Sequence, residues 1–208
     1  YFATINQGLV ANTNLYPIDV DVLNTLIANE SYNFNTDAHS RANGFPALDY
    51  MLYGTSDVLA FFENDLNRTF LLQLVTSIND RAGVLVDQWT GSLRDNFIGN
   101  GGTALGSSVS VQLNESLVYY EEHIRENKVG IPIGRLGPND SPIDAGPEKI
   151  EAYYQSLSDG DEVFTLQLLS AAIDEMEDLY LGSQNDGSDG AGYGDLLIGA
   201  DQASIDAD

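Results

Sequence analysis

Apolar residues recur along this chain in steps of three and four. From Leu66 they run Phe70, Leu71, Leu74, Val75, Ile78, Ala82, Leu85, Val86, Trp89 and Leu93. That spacing repeats one face of a 3.6-residue period, and it predicts an amphipathic helix of about eight turns with a single buried stripe. A second set (Val109, Leu113, Leu117, Tyr120, Ile124) predicts another helix, and a third (Val163, Leu166, Leu169, Ala172, Ile173, Met176, Leu179, Tyr180) predicts one more. Shorter helices are expected over 19–29, capped by Asp19 after Pro17, and over 56–64, capped by Ser56. No segment of similar length alternates with period two, so the expected fold is all-α: helical bundles joined by long Gly/Pro-rich loops.

Two stretches interrupt the periodicity. Residues 130–147 hold four of the six prolines, Pro132, Pro138, Pro142 and Pro147, so helix cannot continue through them. Residues 182–199 carry glycine at 182, 187, 190, 192, 194 and 199. Both mix Ile, Leu or Tyr with their glycines and do not read as simple flexible linkers. No internal repeat of fixed period is present.

Composition narrows the chemistry. The 208 residues are 43% hydrophobic, enough to bury a real core, yet 32 Asp and Glu face 8 Lys and Arg, a net charge of −24. Nucleic acid is excluded as a partner because phosphate binding requires clustered cations, and an anionic membrane surface is disfavoured for the same reason. No apolar run approaches the ~18 residues of a membrane span. Cysteine is absent, which removes disulfides, thiolate metal sites and thiol nucleophiles. Residues 150–208 carry 14 carboxylates and no Lys or Arg, which reads as a solvated acidic face.

Few constellations carry specific chemistry. H-E-x-x-H, G-x-S-x-G and P-loop strings are absent, and 32 acids offer too many carboxylate pairs for spacing to choose among them. His123 and Glu126 stand three apart on an expected helix and could offer an imidazole and a carboxylate to one metal; the plainer alternative is a solvated face with a local His–Glu contact. His39, in a polar stretch, reads as a surface or capping residue. Asp186, Asp189 and Asp195 lie in a Gly-rich loop with the oxygen chemistry Ca²⁺ prefers, although the EF-hand spacing is missing and turn geometry alone would explain them. Tyr119-Tyr120 and Tyr153-Tyr154 are each expected to place one ring inward and one near solvent on a helix. Packing explains such pairs, and sugar or protein binding is the alternative.

The most specific string is Arg41-Ala42-Asn43-Gly44-Phe45-Pro46-Ala47-Leu48-Asp49-Tyr50-Met51-Leu52-Tyr53-Gly54. It resembles the G-x-H-x-x-E signature region of the imelysin-like, peptidase-like proteins of bacterial envelopes. Lys128-Val129-Gly130-Ile131-Pro132-Ile133-Gly134, after Tyr119-Tyr120-Glu121-Glu122, resembles that family's K-x-x-x-P-L/I-G segment. Order and spacing agree, with the Trp89 helix between the blocks, and the chain is similar to the branch of Bacteroidetes-type surface lipoproteins. The resemblance implies helical-bundle halves (1–127 a first part, 148–208 part of a second) within one domain that is the middle of a longer protein. It also implies a metal or ligand site near their junction, export to the periplasm or cell surface, membrane attachment through a lipid anchor outside this chain, and a link to iron uptake.

Departures from the signature decide what can remain of that site. Gly44 is kept, but Pro46 stands at the histidine position and Asp49 at the glutamate position. Proline offers no ligand and no N–H, though its fixed φ suits a first helical turn. A divalent cation held by carboxylates at Asp49 fits better as calcium than as zinc or iron, which lose their nitrogen ligand. Three functions follow: a non-enzymatic envelope binding protein in metal or iron acquisition; a surface structural or interaction protein binding glycan or protein, or self-assembling; and, least of all, a metallopeptidase.

Overall fold

The computed structural model describes residues 13–34, 36–102, 104–135, 151–154, 164–184 and 187–195. Its helices are α1 (Val20–Ala28), a 3-10 helix (Asp37–Ala42), α2 (Gly44–Asp49), α3 (Val58–Glu63), α4 (Asp65–Thr90), α5 (Ser92–Gly99), α6 (Ser108–Val118) and α7 (Phe164–Leu181). Two of them change winding rather than stop. α2 runs on as a π-helical turn over Tyr50–Gly54, and α6 as a longer π-helical segment over Tyr119–Gly130. Among the described residues there is no strand; an isolated antiparallel bridge joins Ser183 and Asp189. The all-α expectation holds.

Helix starts follow side-chain chemistry. The Asp19 carboxylate accepts the N–H of Val22 and caps α1, as expected. α3 begins later than the sequence suggests: Asp57, not Ser56, is the cap, accepting the N–H of Ala60. A carboxylate also complements the positive helix terminus, which a serine hydroxyl does not. Asn64 caps α4 through the N–H of Leu66, while Asn67 donates to the carbonyl of Phe61 at 2.6 Å. The long helix ends at Gly91, and α5 resumes at once with Phe97 beside Trp89, ring centres 5.6 Å apart.

The chain divides into two compact units, Tyr1–Phe164 and Thr165–Asp208. In the first, Leu23, Leu26 and Ile27 of α1, Phe34, Ala42, Ala47, Met51, Phe70 and Leu74 form the core. Phe70 is its centre, fully buried, with the Phe34 ring edge-on at 5.5 Å and Tyr32 tilted at 6.0 Å. Buried Asn43 spends both ends of its amide, donating to the Phe34 carbonyl and accepting the Gly44 N–H at 2.7 Å. In the second unit, Thr165 and Ala172 of α7 are buried, and the chain after Gly182 folds back so that Gly190 donates to the Gly182 carbonyl at 2.7 Å.

The single buried stripe expected along 66–93 is only half realised. Phe70 and Leu74 are buried and Ile78 partly so, but Val75, Val86 and Trp89 are 46%, 59% and 40% exposed. Periodicity reports which face could be buried; whether it is depends on which element lies across it. Truncating Phe70 to alanine is therefore expected to cost about 3–5 kcal/mol, and Val86→Ala no more than about 0.5 kcal/mol. Urea unfolding of the two variants measures the difference, and equal losses would contradict the half-covered helix.

Candidate functional site

Both sequence blocks that carry the family resemblance include π-helical winding, and both meet the same short segment, 151–154. π segments are rare and gather at functional positions because the wider turn re-aims side chains. Here the first carries Asp49 at its cap, with Tyr50 and Tyr53. The second carries Tyr119, His123 and Lys128.

Gly44 sits at φ +71°, a conformation that suits glycine, and a Cβ there would collide with the main chain of Thr13. The signature glycine thus allows segment 13–17 to lie against the start of α2. Pro46 is buried in the first turn, where its ring helps set the helix and its missing N–H is no loss. One turn on, the half-buried Asp49 carboxylate accepts the main-chain N–H groups of Tyr153 and, at 3.2 Å, Tyr154. Desolvation raises its pKa above the ordinary aspartate value, and the two amide hydrogen bonds oppose part of that rise. Flanking rings seat the same segment: Tyr50 packs edge-on to Tyr153 at 5.4 Å and Tyr53 lies 4.8 Å from Tyr154. Tyr153 and Tyr154 are accordingly not on a helix, and both are half-buried rather than split between core and solvent.

Glu151 anchors the segment from its other end. Its carboxylate pairs with Lys128 in a fully buried ion pair and also accepts from the Asn14 side chain at 2.9 Å. Tyr16 lies beside this pair, 2% exposed, with a buried hydroxyl that has no hydrogen-bond partner among the described residues. Burial first, then the Glu151 carboxylate and the Tyr119 phenol, push its pKa well above the usual tyrosine range and keep it neutral. Lys128 was not among the residues the sequence singled out. Its signals were a place in the K-x-x-x-P-I-G segment and membership of a set of 8 cations in 208 residues. Glu151, one acid among 32, had none.

His123 is buried rather than on a solvated face, its ring 5.5 Å from Tyr119. Burial lowers its pKa; the nearby Glu122 works against that shift and Lys128 adds to it. The imidazole is therefore neutral at pH 7. Glu126 is half-buried, and the pair lies on a π-helical turn, where i and i+3 diverge more than on an α-helix. His39 is half-buried with its Nδ1 2.7 Å from the Asn33 carbonyl. Asp186 lies outside the described residues. Asp189 pairs with Ser183 through its main chain in the isolated bridge, and the Asp195 carboxylate accepts the Gly192 N–H at 3.0 Å.

The site fits a resident metal poorly. Pro46 supplies no ligand, both Asp49 oxygens already accept amide hydrogens, and no group of three His, Asp or Glu side chains converges among the described residues. What the arrangement does chemically is hold a segment of chain by its amides and its one buried glutamate.

An all-helical chain with this signature region defines a class, and the family comparison agrees with it. The model of the family described as Imelysin matches residues 2–208, and the chain belongs to that family. No curated protein and no solved structure matches it.

Two outcomes follow from the Asp49 and Lys128 contacts. Because the folded-state pKa of Asp49 is raised, its contribution is fully present below the usual aspartate value of about 3.9 and is lost as pH rises through the raised value. The stability of wild type minus that of Asp49→Asn, from urea unfolding across the carboxylate range, is expected to fall with rising pH; a difference that grows would reverse the sign. Lys128→Met is expected to cost about 3–5 kcal/mol by stranding buried Glu151, and adding Glu151→Leu is expected to restore much of it. Additive losses in that cycle would show that the pair is not coupled.

Proposed function

We propose that this protein is a non-enzymatic binding protein of the imelysin type, exported to the periplasm or cell surface of a bacterial envelope and serving metal or iron acquisition. The observation that supports this best is the commitment of Asp49. A metallopeptidase needs a metal with an open coordination position and a general base within reach of its substrate. Here the carboxylate at the signature glutamate position is tied to two main-chain amides, and the signature histidine position is a buried proline. Neutral His123 has no convergent carboxylates among the described residues with which to build a replacement. The setting in metal acquisition comes from the family, and within it these residues favour docking over ligation. The family resemblance puts attachment to the membrane in a lipid anchor outside this chain; no described helix is long and apolar enough to cross a bilayer.

A second reading, a surface interaction or self-assembling protein, is favoured by apolar side chains that stay uncovered: Leu72 at 68%, Val86 at 59% and Leu105 at 99% exposure. Calorimetric titration of Ca²⁺, Fe²⁺, Fe³⁺ and Zn²⁺ into wild type and Asp49→Asn separates the readings from ligation at the motif. The two proteins are expected to give the same heats, metal-treated protein to leave peptides uncut, and a deletion strain to grow poorly under metal limitation. A stoichiometric site lost in Asp49→Asn, peptide hydrolysis above background, or normal growth of the deletion strain would each overturn the proposal.

A further inference from the structure

The exposed side of α4 keeps a period of its own. Leu72, Val75, Asn79, Ala82, Val86 and Trp89 are spaced by three and four in strict alternation, the a and d positions of a heptad repeat. All six are exposed, while the opposite side of the helix is held in the core by Phe70 and Leu74. Trp89 packs on Phe97 and is still 40% exposed. A heptad stripe faces one neighbouring helix over several turns, here along about 26 Å from Leu72 to Trp89. A seam of this length would not join two isolated peptides, because each would first have to become helical. In α4 the core has already met that cost.

The flanks of the seam suit close approach. Leu71, Ile78 and Leu85 border it on one side, partly buried, and Thr76, Gly83 and Thr90 on the other. None of these positions is charged, whereas Asp80, Arg81 and Asp87 fall at the outer b and c positions. The Thr76 and Thr90 hydroxyls donate to the carbonyls of Leu72 and Val86, both at 2.8 Å, so their protons are already satisfied within the helix. A Cβ at Gly83 would meet open space.

Charge selects the occupant. Copies of a chain carrying −24 repel one another and can meet only where charge is sparse. α4 has three carboxylates against two arginines. The exposed Leu166, Ile173 and Tyr180 of α7 lie on a helix with four carboxylates and no cation, which bars self-pairing there. A basic partner would be drawn to such acidic helices, not to a seam whose edges carry no charge. A helix of the same period with the same uncharged edges is the match. We propose that α4 docks on α4 of a second copy of this chain, through Leu72, Val75, Asn79, Ala82, Val86 and Trp89, as a two-fold antiparallel pair. Antiparallel order sets Leu72 against Trp89, Val75 against Val86 and Asn79 against Ala82 of the second copy. It also opposes the helix dipoles and keeps the two small Ala82 side chains in separate layers. Asn79, nearest the two-fold with Ala82, fixes the register, since an amide drawn into the seam must find a partner there. The pairing gives the self-assembly reading a surface and does not depend on a role in metal acquisition.

Sedimentation equilibrium of the full chain across the micromolar range tests the proposal. A monomer–dimer equilibrium is expected, and it tightens as salt rises, because salt screens the repulsion and the seam has no ion pairs to lose. Val86→Glu is expected to raise the dissociation constant by at least about tenfold with helicity unchanged. Val84→Glu, 54% exposed on the side away from the seam, is expected to change it by no more than about twofold. The chain has no cysteine, so introduced thiols report the order of the helices. Val75→Cys protein mixed with Val86→Cys protein is expected to form an intermolecular disulfide that neither forms alone. A monomer at every concentration, equal effects of the two glutamates, association weakened by salt, or Val75→Cys protein cross-linking to itself would each overturn the pairing.

Discussion

The contact on which the signature region depends is the acceptance of two consecutive main-chain N–H groups, those of Tyr153 and Tyr154, by the carboxylate of Asp49. A carboxylate is well suited to this, since each oxygen can take a separate donor, and charge-assisted hydrogen bonds are the stronger kind. Residues more than a hundred positions away in sequence are thereby fixed beside the signature helix. Tyr50 and Tyr53 close over them with their rings, and the Glu151–Lys128 pair ties the same segment to the second π-helical stretch. Removing the carboxylate would leave two partly buried amides to find other acceptors.

This use of Asp49 is consistent with the proline three residues before it, which offers no ligand. A ligand-bearing carboxylate must keep its lone pairs directed at the metal, whereas one that caps a chain segment spends them on amides. Pro46, buried in the first turn of α2, stabilises the start of that helix. The buried cation follows the same economy of charge. In a chain of net charge −24, a lysine drawn out of solvent must be matched locally, and Glu151 is the match.

Away from this cluster the molecule is unevenly covered. The core around Phe70 is dense, while the second half of α4 presents Val84, Val86 and Trp89 to solvent at 54%, 59% and 40% exposure. One helix thus carries two apolar sets, Phe70 and Leu74 against the core and the heptad of Leu72, Val75, Val86 and Trp89 away from it.

Much of this was legible in the chain itself. Period-3.6 apolar spacing determined the helices over 20–28, 65–90, 108–118 and 164–181 to within a few residues, since local backbone geometry and side-chain periodicity are short-range properties. The family followed from two strings, 41–54 and 119–134, and their order along the chain. The absence of cysteine excluded thiol chemistry, and the proline at position 46 was visible at once. Tertiary structure alone decided which half of the long helical stripe is buried, that Tyr153 and Tyr154 lie outside any helix and are pinned by Asp49, that His123 is inside, and that Lys128 meets Glu151. Each of those depends on a contact between residues far apart in sequence. Periodicity carries no information about such partners, and one glutamate among 32 acids looks like any other until its cation is placed beside it.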